Sequence, residues 1–90
     1  MKVYEVKVDW AIDDSQDSDT ILFSTEIKAR AEFDRQIKSA KIWYDVFDEE
    51  TGKVKEGWCL EESVNNWEIW EDGYYSSNHC YITIKEKEVL

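Results

Sequence analysis

The chain has 90 residues, 21 acidic residues against 11 Lys and Arg, and a formal charge of −10; it also carries five tryptophans. A chain of this length holds one domain (1–90). No run spans a bilayer and no apolar segment follows a basic start as in a signal peptide, so a cytoplasmic protein is expected. So acidic a surface repels nucleic acid and anionic membranes and attracts basic partners, which excludes direct nucleic-acid binding and membrane association.

Lys2 to Trp10 alternates, with Tyr4, Val6, Val8 and Trp10 on one face and Glu5, Lys7 and Asp9 on the other. Period two with one wet face predicts an antiparallel strand. Asp13 to Asp19 reads DDSQDSD, has nothing to bury, and is expected to be a mobile acidic loop. Thr20 to Phe23 is a short apolar run and a second strand. Ser24 or Thr25 then caps a helix, because a hydroxyl there can accept from the first free backbone N–H groups. Ala29, Phe33, Ile37, Ala40 and Tyr44 follow at spacings of four, four, three and four, a single buried helical stripe.

The segment 42–47 reads as either helix or strand, and a strand from about Trp43 fits the polar turn Asp48 to Lys53 that follows. Val54 to Leu60 resumes an alternation and predicts the next strand. Glu61 to Asn66 reads as a connection, Trp67 to Glu71 as a strand, Asp72-Gly73 as the opening of a turn, and Cys80 to Ile84 as the last strand. Lys85 to Glu88 reads as a solvated strand end or a frayed terminus. The expected fold is α+β: a single antiparallel sheet of about four to six strands with one long helix packed on one face. Val6, Val8, Phe33, Ile37, Ile82 and Ile84 form the expected core.

No motif dictates a reaction. Asp13, Ser15, Asp17 and Asp19 fall on alternate positions of a calcium loop, but Ser18 and Ser24 stand where that loop needs its glycine and its bidentate glutamate. His79 and Cys80 are neighbours, which on a strand sends them to opposite faces, and with Cys59 they lack the paired spacing of a zinc site. Two cysteines are too few for a disulfide framework and read as structural thiols. Catalytic residues, a cofactor and a metal are all expected to be absent, and a small enzyme would need a pocket that one sheet rarely encloses.

The segment from Asp45 to Asp72 holds ten acids against Lys53 and Lys55, a net of −8, beside Trp58, Trp67 and Trp70. Trp67 and Trp70 are an odd number apart, so a regular strand turns them to opposite faces. An aromatic anchor inside a polar rim is how many interfaces look. The expected partner-binding residues are therefore Glu49, Glu50, Trp58, Glu61, Glu62, Trp67 and Trp70, and the expected function is that of an acidic, non-enzymatic accessory or inhibitor domain docking on a basic protein. In a sharper form the carboxylates mimic nucleic acid, since same-face strand residues recur at about 6.6 Å, near the phosphate repeat. The alternative is an acidic subunit whose charge serves solubility and whose sheet edge allows homo-oligomers.

Overall fold

The computed structural model describes residues 1–12, 15–72 and 78–89. One antiparallel sheet of five strands carries one helix on one face. The strands are β1 (Lys2–Ile12), β2 (Ser15–Phe23), β3 (Trp58–Glu62), β4 (Asn66–Glu71) and β5 (His79–Glu88); α1 (Glu26–Trp43) lies between β2 and β3. The spatial order is β2-β1-β5-β4-β3, so the two halves of the sheet meet where β1 pairs with β5, from Lys2↔Glu88 to Ala11↔His79.

The alternation in β1 sets the faces. Tyr4, Val6, Val8 and Trp10 share one side of the sheet with Cys80, Ile82 and Ile84 through the β1–β5 register. Trp67 and Ile69 join them through β4. The helical stripe of Ala29, Phe33, Ile37, Ala40 and Tyr44 packs on this layer. Val6, Phe33, Ile82 and Ile84 are buried as expected, whereas Val8 and Ile37 are half-buried. Trp67, Ile69, Val46 and Cys80 complete the core.

Thr25 is the N-cap, its hydroxyl accepting from the Lys28 N–H at 3.3 Å, and Glu26 sits at the positive end of the helix dipole. Arg30 anchors the other flank. Its guanidinium donates to the Val64 carbonyl and to Asn65 Oδ1 at 2.9 Å, tying the helix to the β3–β4 turn. Pattern alone puts Arg30 on an ordinary wet face; only the folded turn supplies its acceptors.

Three expectations need correction. Ser15 to Asp19 is not a loop: these residues continue β2 and pair with β1 from Ile12↔Ser15 to Val8↔Asp19. An edge strand exposed on both faces needs backbone partners, not an apolar face, so its polar sequence hides it. Asp13 and Asp14 lie outside the described residues. The strand expected from about Trp43 is reduced to the single bridge Phe47↔Val54, because α1 runs on to Trp43 and Tyr44 caps it in extended conformation. The strand expected from Val54 begins only at Trp58 but continues through Glu61 and Glu62, which shortens the connection to 63–65. Of the two readings of Lys85 to Glu88, the solvated strand end holds: these exposed residues pair with β1 from Lys2↔Glu88 to Glu5↔Lys85. The turn expected to open at Asp72-Gly73 lies largely outside the described residues, and His79 opens β5.

Candidate functional site: an unneutralised acidic edge

After α1 the chain crosses the part of the sheet that the helix leaves bare. Val46 is buried, Phe47 stacks on Trp67 with ring centroids 6.3 Å apart, and Tyr44 meets Trp58 edge-on at 6.1 Å. The Tyr44 hydroxyl donates to the His79 carbonyl at 3.0 Å, and burial pushes its pKa up to about 12. These contacts hold the turn Asp48–Lys53 against β3 and β4. Within the turn the Asp48 N–H donates to the Lys53 carbonyl and the Gly52 N–H to the Asp48 carbonyl. Gly52 takes φ 72°, which favours glycine over any residue with a Cβ. Glu49 and Glu50 stand at the exposed tip.

Glu61 and Glu62 lie on the edge strand β3 and point to opposite faces. Glu62 pairs with Trp67 on the helix side, and Glu61 faces Glu68 directly on the open side. Like charges opposite each other in a sheet are unfavourable. In the whole 45–72 segment Asp45 is the one acid, among the described residues, with a cation within salt-bridge distance: Lys55 at 3.2 Å. Outside that segment pairing is more frequent: of the nine described acids there, Asp9 lies 3.6 Å from His79 and four others have a cation partner. The N-terminal amine pairs with Glu88, Lys2 with Glu86, Arg35 with Glu32 and Lys87 with Glu5. The Lys87 contact is a hydrogen bond that holds the Glu5 carboxyl below the ordinary glutamate range, against the desolvation that would raise it.

The three tryptophans separate. Trp67 is 1% exposed, with its indole N–H lacking an acceptor among the described residues, so it belongs to the core and leaves the expected contact set. Trp58 is half-buried on the helix side. Trp70 faces the open side, next to His79 in register, as the odd spacing requires. There it joins Tyr81, whose ring stacks on His79 at 4.4 Å. The site therefore consists of Glu49, Glu50, Glu61 and Glu62 around the β3 edge, with Trp58 on one sheet face and Trp70 on the other.

No strand of the 45–72 segment repeats carboxylates at period two, so the phosphate-like comb is not built there. Sequence reasoning missed one feature of the open face: Lys7, Lys85 and Lys87 fall on it by register with Glu5 as the one acid among them, which leaves that face cationic toward one end and acidic at β3–β4.

The two thiols differ in environment. Cys80 is buried under the helix, and burial pushes its pKa up to about 12. Cys59 is half-buried on the edge strand. A thiol reacts as its thiolate and only when reached. A thiol reagent at pH 8 should therefore label Cys59 in the folded protein and reach Cys80 only after denaturant is added. Equal labelling rates without denaturant would show that Cys80 is not enclosed.

A comparison of the chain with protein-family models, with curated proteins and with solved structures finds no match. Among the described residues no helix is long and apolar enough to cross a membrane, and no three His, Cys, Asp or Glu side chains cluster as metal ligands. Ser15, Asp17 and Asp19 lie along an extended ladder, a geometry that spreads their oxygens instead of wrapping them around one ion.

Proposed function

We propose that the protein is a small non-enzymatic binding domain whose acidic β3 edge docks on a basic protein partner. The observation that supports this is the contrast in charge pairing. The fold pairs the N-terminal amine, Lys2 and Lys87 with glutamates at the β1–β5 end and leaves nine of the ten acids of 45–72 without a cation within salt-bridge distance among the described residues. Unmatched charge of one sign destabilises the domain by self-repulsion and raises the on-rate of an oppositely charged partner. Glu49, Glu50, Glu61 and Glu62 supply the field; Trp58 and Trp70 supply apolar area beside it.

Affinity capture on the immobilised protein at low salt, with elution along a salt gradient, tests this. The expected result is a basic protein that elutes at moderate salt and binds the purified domain directly. Captured proteins that are not basic, or whose binding ignores salt, would reject the reading and leave the acidity as a solubility device.

A further inference from the structure

The helix leaves a second region of the sheet uncovered, on the side away from β3. A groove of about 480 Å³ runs between the C-terminal half of α1 and the far end of the β1–β2 hairpin. Its size falls in the range of ligand-binding clefts. The floor is apolar, built on Val8, Trp10 and Ile12 of β1, and Ala40 keeps the helix side shallow. Trp43 stands on the helix rim with 77% of its surface exposed. A large exposed indole beside an apolar groove is a typical binding anchor.

Strand β2 is the opposite wall, and it is also an edge of the sheet. Nothing among the described residues pairs with its outer side, so the backbone donors and acceptors of alternate residues along this nine-residue strand stay open. Such an edge is a template for another strand. Its sequence, SQDSDTILF, contains no Lys, Arg, Pro or Gly to block pairing. Ser15, Asp17 and Asp19 share the groove side of this wall, opposite Ile12, Trp10 and Val8. The two carboxylates recur at about 6.6 Å, twice the strand rise. Neither has a cation within salt-bridge distance among the described residues.

This charge pattern selects the occupant. A second copy of β2 added antiparallel in full register would set Asp19 against Asp19, and like charges opposite each other disfavour pairing. A strand with Lys or Arg at alternate positions meets Asp17 and Asp19 with opposite charge. Ser15, the smallest side chain of the row, leaves an opening toward the apolar floor. We propose that the β2 edge and the groove together bind an extended basic segment of a partner protein as a sixth strand. Its alternate Lys or Arg side chains lie beside Asp17 and Asp19, and one aromatic side chain enters the groove between Trp10 and Trp43. This is recognition by strand addition: backbone hydrogen bonds give affinity and alternate side chains give selectivity. It shares the basic partner of the preceding reading and adds a surface outside 45–72.

The test is an NMR titration of the ¹⁵N-labelled full chain with two capped peptides of identical composition. The first, Lys-Thr-Lys-Thr-Phe-Thr-Lys, puts its lysines and Phe on one strand face. The second, Thr-Thr-Thr-Lys-Lys-Lys-Phe, breaks the alternation. The alternating peptide should shift the amides of Ser15–Phe23 and the Trp43 indole, and bind roughly tenfold tighter than the block peptide, the difference expected of one or two well-placed charge-assisted contacts. The double variant Asp17→Asn/Asp19→Asn and the single variant Trp43→Ala each alter exposed side chains and should each weaken it by a similar factor. Equal binding of the two peptides, shifts confined to residues 45–72, or no binding of either peptide overturns the β2 site. Shifts confined to 45–72 would at the same time support the acidic β3 edge, so the two readings fail separately.

Discussion

Trp67→Ala should cost about 3–5 kcal/mol of folding stability, the range for removing a large aromatic from a packed core. A domain of this size has on the order of 5–10 kcal/mol in total, so the variant should be partly unfolded at 37 °C. Trp67 is fully enclosed, faces Ile82 across the ladder and carries Phe47 on its ring. Losing it would therefore loosen both β4 and the segment that holds the acidic turn. Phe33→Ala, on the opposing helix face, should cost a comparable amount, because Phe33 is buried in the same cluster. Trp67→Phe should be much milder: it keeps a ring for Phe47 and removes an indole N–H that has no acceptor among the described residues. Urea unfolding followed by circular dichroism measures all three. Near-wild-type midpoints for Trp67→Ala would show that β4 does not pack beneath the 44–47 segment.

Reversing four charges, Glu49→Lys, Glu50→Lys, Glu61→Lys and Glu62→Lys together, should slow association with a basic partner by roughly 10²-fold at low ionic strength, within the range by which electrostatic steering alters on-rates. Each reversal changes the charge by two, so the four move the formal value from −10 to −2. The effect should shrink near physiological salt, where the Debye length is about 8 Å. All four side chains are exposed, so the fold should survive. Trp58→Ala and Trp70→Ala should act on the other rate constant and speed dissociation, as truncated anchors usually do. Stopped-flow kinetics with the captured partner separates the two effects. Association unchanged by the four reversals and by salt would reject the β3 edge as the docking surface.

The residues that became site and core were not equally legible. The odd spacing of Trp67 and Trp70 correctly required opposite faces, but it could not say which face would be covered. That depended on Val46 and Phe47 folding back over β4, a contact between segments twenty residues apart. The acids of 45–72 could be counted in advance; their lack of cationic partners could not, because Lys2 and Lys87 find their glutamates only through sheet register. Asp17 and Asp19 read as members of a mobile acidic loop, and the groove beside them had no sequence signature at all.

By itself the sequence determined the class of fold: the period-two face of β1, the helical stripe from Ala29 to Tyr44, and the separation of His79 and Cys80 to opposite faces. These follow from periodicity, which is a local property of an element with one buried side. Tertiary structure alone decided the extent of β2, the end of α1, the choice of Trp67 as core and the opening of the groove. An edge strand is wet on both faces and carries no alternation, so only the hydrogen-bonding partner β1 makes Ser15 to Asp19 a strand. A helix end likewise has no periodic signal of its own, and α1 stops where Tyr44 reaches the His79 carbonyl and the chain turns to cover the remaining sheet.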